Sequence, residues 1–240
     1  MNWHINQVMY LFTGVSIGSA PHIFPILIAL IFAVFFIRYA KKKLQKKQQH
    51  VFLHLFGCLV CLTVLVFHVY KIFLGNYKIA TDLPLYLCSF LALLIPIFTQ
   101  YRKYWMYEIL LFWIIAGTSQ GIITPDIADG FPSFDYFRYW VVHLGLVIVI
   151  LYATFVLKMK PKLSSVFKSF FALQLYVICI MFINHLLDAN YFYLNKKPAS
   201  ASLLDYFGEW PYYIITTQII IIPYFLLIYL PFHLSKRSYK

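Results

Sequence analysis

Acidic residues are scarce in this chain. Its 240 residues include 8 Asp and Glu against 20 Lys and Arg, and charge of both signs makes up only 12%. An ordinary soluble domain carries about twice that fraction. Too little charge is present to cover a water-facing surface, which excludes a soluble globular enzyme and a disordered chain. Cysteine is sparse too: four residues at spacings that demand no disulfide exclude a secreted disulfide scaffold. The chain has no phosphate loop, no Gly-rich dinucleotide turn and no G-x-S-x-G elbow, and no cofactor is expected. Its basic residues lie in short runs between apolar stretches, a pattern set by membrane orientation rather than by a nucleic-acid partner.

Apolar residues are abundant, at 62%, with 20% aromatics. Seven continuous runs reach about the 20 residues that cross a hydrocarbon core as a helix. They are Pro21–Tyr39, Val51–Phe73, Leu83–Thr99, Trp105–Thr124, Tyr139–Leu157, Val166–Leu187 and Pro211–Leu234. None shows the alternation of an outer-membrane barrel strand. The expected fold is all-α: a polytopic membrane bundle of seven transmembrane helices in one domain over residues 1–240. Met1–Ser19 has no early positive charge and does not read as a secretory signal. Trp3, Tyr10 and Phe12 are anchor types that suit the interface.

Lys and Arg in alternate loops give the orientation. Arg38 to Lys47, Arg102 and Lys103, Lys158 to Lys168, and the C-terminal Lys236, Arg237 and Lys240 place fifteen basic residues on one side, against five on the other. Seven of the eight acids fall on the five-basic side, and only Glu108 does not. The N-terminus is expected outside and the C-terminus in the cytoplasm, in a multi-pass protein of a bacterial cytoplasmic membrane.

Polar groups in hydrocarbon are costly, so each is a site hypothesis. Cys88 and His143 each lie about five residues, some 7 Å, below the outer edge. Asn184, His185 and Asp188 close the outer end of span 6, Gln120 follows Thr118 and Ser119 near the outer end of span 4, His22 opens span 1, and His68 ends span 2. Polar groups from six spans thus share one outer layer, while the inner half is nearly bare apart from His54 and Glu108. The plain alternative is that boundary residues snorkel to water and that a lone thiol or imidazole is packing. Cys58-x-x-Cys61 shares a helix face with His54 and His68, but the two histidines are about 21 Å apart along the helix and cannot share an ion. No metal is expected. Span 7 contains no Lys for a Schiff base, which argues against a retinal protein.

The stretch Leu83-Pro84-Leu85-Tyr86-Leu87-Cys88-Ser89 resembles the YwaF-like family of bacterial integral membrane proteins. Further matches follow in order: Ile123-Thr124-Pro125-Asp126, Phe131-Pro132, the span around His143, Asn190-Tyr191, and Ser202-Leu203-Leu204-Asp205 leading to Trp210-Pro211, with His22 fitting the N-terminal pattern. One departure is Tyr86, which stands where many bacterial members have His. The family is similar to a eukaryotic group assigned as transmembrane phospholipid acyltransferases, thought to use one intramembrane Cys and one His. That resemblance implies Cys88 and His143 as a catalytic pair, with membrane phospholipids and lysophospholipids as partners.

A thiol in hydrocarbon is a poor nucleophile unless a base takes its proton, which an imidazole does. Cys88 would form a thioester with a lipid acyl group, and His143 would activate a lysolipid hydroxyl to receive it. Water in that place makes the same pair a lipid ester hydrolase. Orienting partners for His143 are sought in Asp188, Asn184, Gln120 and His185, and oxyanion donors in Ser89, Gln120, Tyr86 and Tyr139. A reading from another class is a transporter or ligand-binding protein whose outward pocket is the polar layer, with Cys88 as packing; a third is a structural partner with no chemistry.

Overall fold

The computed structural model describes residues 14–127 and 129–237. Among them the regular elements are helices: α1 (Ala20–Lys43), α2 (Lys46–Phe73), α3 (Leu87–Tyr101), α4 (Tyr104–Ile123), α5 (Phe134–Phe155), α6 (Leu163–Leu187) and α7 (Tyr212–Arg237), with short helical turns in the linkers. The interfacial anchors Trp3, Tyr10 and Phe12 lie outside the described residues.

Six of these helices are long and apolar enough to cross a membrane. The sequence reading gave seven, and the difference is α3. It has 15 residues, about 22 Å of helix against a hydrocarbon core of about 30 Å. The cause is local. The residue before a proline is pushed out of the α region, and Leu83, which precedes Pro84, is extended at φ −61°, ψ 146°. Tyr86 is extended as well, so the helix starts at Leu87 rather than at the expected Leu83. At its other end Arg102 turns left-handed, at φ 51°, and its N–H bonds the Phe98 carbonyl.

The helices pack through residue pairs that fix their directions. Tyr152 donates to the Gln49 carbonyl, Val60 lies against Gly145, and Phe67 meets Phe134, so α2 and α5 run antiparallel. A Cβ on Gly57 would come within 3.0 Å of Ile95 and Thr99 side chains, so the missing side chain is what lets α2 approach the far end of α3. Helices α4 and α6 run parallel and are clamped by a polar cluster. Glu108 is 1% exposed and accepts from Ser165 Oγ at 2.6 Å and Lys168 Nζ at 3.0 Å. Ser169 Oγ donates to the Glu108 carbonyl, and Trp113 Nε1 to the Ser169 carbonyl. A carboxylate this deep is tolerable because every side of it is hydrogen-bonded or paired.

The large apolar side chains on the outer faces of α1, α2, α6 and α7 are exposed, among them Phe35, Leu55, Phe171, Leu175 and Ile219. A water-soluble monomer does not carry apolar patches of that extent. Linkers 74–86, 124–133 and 188–211 gather at one end of the bundle. Tyr191 joins two of them, accepting from the Leu83 N–H at 2.9 Å and donating to the Ile79 carbonyl. The basic linkers around residues 44–45, 102–103 and 156–162 lie at the opposite end.

Candidate functional site

The acid-rich end holds a cavity of about 540 Å³, lined by side chains of α2 to α7 and by the 188–211 linker. Its geometry follows from an irregularity in α4. Over Ile114–Thr118 that helix widens into a π segment, a feature frequent at functional sites because it re-aims side chains. Thr118, fully buried, is thereby set against the first turn of α3, where the Cys88 S–H donates to its Oγ1 at 3.7 Å. Cys88 is partly buried and lines the cavity. The first N–H groups of a helix have no carbonyl one turn earlier to bond, so the free donors of the α3 N-terminus lie beside the thiol.

His143 projects from α5 into the same cavity and is 7% exposed. Its Nδ1 lies 2.8 Å from the Tyr139 carbonyl. A carbonyl only accepts, so Nδ1 carries the proton and Nε2 keeps its lone pair. The Tyr139 ring stacks on the imidazole at 3.9 Å between centroids, and its hydroxyl donates to the Gly121 carbonyl at 2.7 Å. Gly121 closes the arrangement: a Cβ there would meet Nε2 at 2.6 Å. The imidazole is therefore held on three sides, with its basic nitrogen at the cavity wall. Among the described residues the Cys88 hydrogen bond goes to Thr118, and none joins it to His143.

The mouth of the cavity is charged and its interior apolar. Lys71 pairs with Asp82 at 2.6 Å, and Arg138 with Asp135 at 2.5 Å. Tyr193 donates to Asp126 at 2.7 Å. Burial and the adjacent Asp126 carboxylate push the Tyr193 phenol up, so it stays protonated and able to donate. Trp113, Leu173, Val177, Ile221 and Phe225 line the inner part.

Residues 17–229 match the TMEM164 family. The chain belongs to the TMEM164 family. That match runs from just before α1 into α7 and takes in every residue of the cavity wall. No curated protein and no solved structure matches the chain. Family membership and the six long apolar helices make this TMEM164-family chain a multi-pass membrane protein.

Among the residues expected from the sequence of this TMEM164-family protein, Cys88, His143, Gln120, Ser89 and Tyr86 all line the cavity. Four others lie elsewhere. Asn184 is buried and grips the backbone N–H and carbonyl of Tyr191. His22 accepts from the Gly18 N–H and donates to the Ile122 carbonyl, tying the start of α1 to the end of α4. Asp188 caps α6 in a left-handed conformation at φ 49°, and both it and His185 are exposed. None of these four touches His143, whose orienting group is the Tyr139 main chain, a partner that no side-chain search finds. His54 and Cys58 lie 3.6 Å apart on α2, with His54 bonded to Thr99 at 3.0 Å. Among the described residues no three of His, Cys, Asp and Glu converge to hold a metal.

Sequence reasoning missed the charged mouth. Lys71, Asp82, Asp135 and Arg138 enter the sequence reading only as loop charges, and Asp126 as a loop charge and a motif residue, because alternate-loop bookkeeping assigns side and not neighbours. Burial would push the Asp82 carboxyl up, but hydrogen bonds from Lys71 and the Lys78 N–H, with the Lys71 charge, hold it below the usual carboxylate range. A depressed folded value stabilises the fold above the unfolded pKa of about 4, and that contribution is lost as pH falls through the folded value. Asp82→Asn is therefore expected to lower detergent-phase stability by about 1 kcal/mol at pH 7. The gap to wild type should narrow as pH falls below the unfolded value of about 4, as read by thermal unfolding at pH 7 and at successively lower pH.

Proposed function

We propose that this protein is a membrane acyltransferase that moves an acyl chain between phospholipid-type lipids through a thioester on Cys88. The observation that carries the reading is that a thiol at a helix N-terminus and an imidazole with a free Nε2 line one cavity, polar at its mouth and apolar inside. An ester lipid has that same polarity. In the first half-reaction the thiol proton passes to His143 Nε2, and Sγ attacks the ester carbonyl. The free N–H groups of α3 are placed to stabilise the oxyanion. The carbon–oxygen bond breaks, and the departing lysolipid oxygen takes the proton from His143. In the second half, Nε2 accepts the proton of a lysolipid hydroxyl, whose oxygen attacks the thioester. The carbon–sulfur bond then breaks and the thiol recovers its proton. The ligand-free hydrogen bond from Cys88 to Thr118 is compatible with this sequence, because catalytic hydrogen bonds in empty sites commonly close only when substrate arrives. Excluding water favours transfer over hydrolysis.

The same reading takes α3 as a seventh, short crossing, with the N-terminus outside, the C-terminus in the cytoplasm and the cavity facing the outer leaflet. Support comes from the end-to-end charge asymmetry, since the basic linkers lie opposite the cavity. The resemblance to YwaF-like proteins adds a bacterial cytoplasmic membrane as the location.

The test is capture of the intermediate. Purified protein in vesicles is given phospholipid with a radiolabelled acyl chain and no acceptor. Label should attach to protein, be released by neutral hydroxylamine, and move to added lysophospholipid. Label that appears only as free fatty acid identifies a hydrolase. No protein-bound label and no acyl product would discard thiol chemistry and leave a transporter-type binding pocket as the better reading.

A further inference from the structure

Four threonines in these helices give their hydroxyl proton to their own backbone. Thr63, Thr99, Thr154 and Thr217 each donate to the carbonyl four residues back, at 2.7 to 2.9 Å. That bond is the ordinary outlet for a threonine inside a helix. Thr118 does not make it. The π segment winds the chain wide over Ile114–Thr118, and the Ile114 carbonyl, four residues before Thr118, accepts from the Ser119 N–H. Thr118 is 0% exposed, so water does not take the proton either. Among the described residues the side-chain partner of its Oγ1 is Cys88 Sγ, at 3.7 Å.

This contact holds one proton too many. Only one hydrogen fits on the line between Oγ1 and Sγ. With the thiol neutral and its S–H on Oγ1, the hydroxyl proton has no acceptor, and a buried donor left without one is unfavourable. If the hydroxyl turns onto sulfur instead, the S–H must leave the contact, and the cavity that Cys88 lines is where His143 Nε2 can receive it. Ionisation of the thiol ends the conflict. The O–H then donates to the thiolate, and hydrogen bonds to an ionised acceptor are the stronger kind.

We infer that Thr118 is a further catalytic residue, whose hydroxyl turns onto Sγ as the proton leaves Cys88 and again as sulfur leaves the thioester. This deepens the acyl-transfer reading and rests on it for the two steps in which sulfur carries negative charge. In the first, the S–H bond breaks, the proton goes to His143 Nε2, and the electron pair left on Sγ accepts the Thr118 O–H until Sγ attacks the ester carbonyl. In the second, the carbon–sulfur bond breaks and its electron pair returns to sulfur. Sulfur again accepts from Thr118 until His143 gives the proton back. A sulfur bonded to carbon is a weak acceptor, so the hydroxyl favours the thiolate over the thioester and makes sulfur a better leaving group. The π segment serves this by withholding the carbonyl that would otherwise occupy the hydroxyl.

The test reads the thiolate without acyl transfer. The full chain in detergent is alkylated with iodoacetamide at neutral pH. Modification of Cys88 is followed by mass spectrometry of its own peptide, apart from Cys58, Cys61 and Cys179. Thr118→Val should slow the reaction by about tenfold, a factor worth 1.4 kcal/mol. Thr118→Ser restores the hydroxyl and should stay within about threefold of wild type, a smaller step on the same scale. Valine keeps the shape of threonine, and the Thr118 hydroxyl holds no carbonyl, so thermal unfolding of Thr118→Val should match wild type. If Thr118→Val does not fold, Thr118→Ala carries the same expectation. With radiolabelled phospholipid, the valine variant should slow both the appearance of protein-bound label and its passage to lysophospholipid, with lipid affinity unchanged. Alkylation of Thr118→Val at the wild-type rate would overturn the assignment, because the hydroxyl would be idle. Equal slowing in Thr118→Val and Thr118→Ser would overturn it too, because the thiol would then be answering to shape. Alkylation needs no lipid, so slow Thr118→Val beside normal Thr118→Ser would keep the role of the hydroxyl even if no thioester forms, and failure of the thioester test is distinguishable from failure here.

Discussion

Cys88→Ala is expected to reduce acyl transfer by about 10³-fold or more, with folding intact. Removing a covalent nucleophile leaves only binding and electrostatic stabilisation, and such losses are commonly of that size or larger. The fold should survive, because Cys88 is partly buried with a single side-chain hydrogen bond, to Thr118. The measurement is turnover of a fluorescent phospholipid in vesicles, beside thermal unfolding in detergent. A variant that keeps more than about a tenth of wild-type turnover, well short of such a loss, would show that the thiol is packing. Cys88→Ser separates the two roles further. Serine keeps a hydrogen bond to Thr118 but is a far weaker nucleophile in a site with no helper beyond one imidazole, so it should be as inactive as alanine. His143→Gln should show the same loss, because it keeps bulk and polarity and removes the proton acceptor.

The second large effect is expected at a residue with no functional group. Gly121→Ala places a Cβ 2.6 Å from His143 Nε2, 2.7 Å from its Cδ2 and 2.9 Å from the Tyr139 hydroxyl. None of these atoms gives easily. The imidazole is pinned through Nδ1 to the Tyr139 carbonyl and stacked on the Tyr139 ring, and that ring is pinned through its hydroxyl to the Gly121 carbonyl. The added methyl must push the imidazole or the end of α4 aside. A displacement of about 1 Å in a catalytic group costs up to about 10²-fold. Turnover should fall by that order while Cys88 remains available to a thiol reagent. The control is Gly117→Ala, one turn away in the π segment. Its Cβ would meet only Leu87 Cδ2 within close range, at 2.5 Å, the end of a flexible side chain that can rotate. Activity within about threefold of wild type is expected there, an effect below 1 kcal/mol. Equal losses in both variants would mean that any crowding of α4 unfolds the region, and His143 would lose its claim to a fixed position.

How much of this was legible in the sequence varies by level. The helices were, because a hydrocarbon solvent leaves the chain few choices: every backbone group must be paired within its own segment, so apolar runs become helices. Four of the six long helices sit within four residues of their expected bounds, including Tyr212–Arg237 against Pro211–Leu234, while α2 and α5 each begin five residues early. Helix α3 begins four residues late, because the Leu83-Pro84 pair overrides an apolar run that hydropathy cannot tell from a helix. Polar residues at the acid-rich end were legible as a group and not as partners. Cys88, His143, Gln120, Ser89 and Tyr86 reach one cavity, whereas Asn184, His22 and Asp188 serve linkers and helix ends, and His185 faces outward. Depth along a helix gives the layer of a residue. The rotation of that helix about its own axis decides whether the residue faces inward, and two residues in one layer need not meet.

Composition and period thus determined the class of molecule: an all-helical membrane protein with its polar residues banked at one end. The rest was decided by tertiary structure. The π segment in α4 that sets Thr118 against Cys88, the main-chain carbonyl that fixes the His143 tautomer, the glycine that admits its Nε2, and the approach of Arg138 to the Phe67 ring arise from contacts between residues tens of positions apart or from main-chain atoms. The physical reason is that hydrophobic transfer depends on each residue's own chemistry and is written position by position. Hydrogen-bond geometry and the direction of a lone pair depend on where a second helix lies, and that is fixed only when the bundle packs.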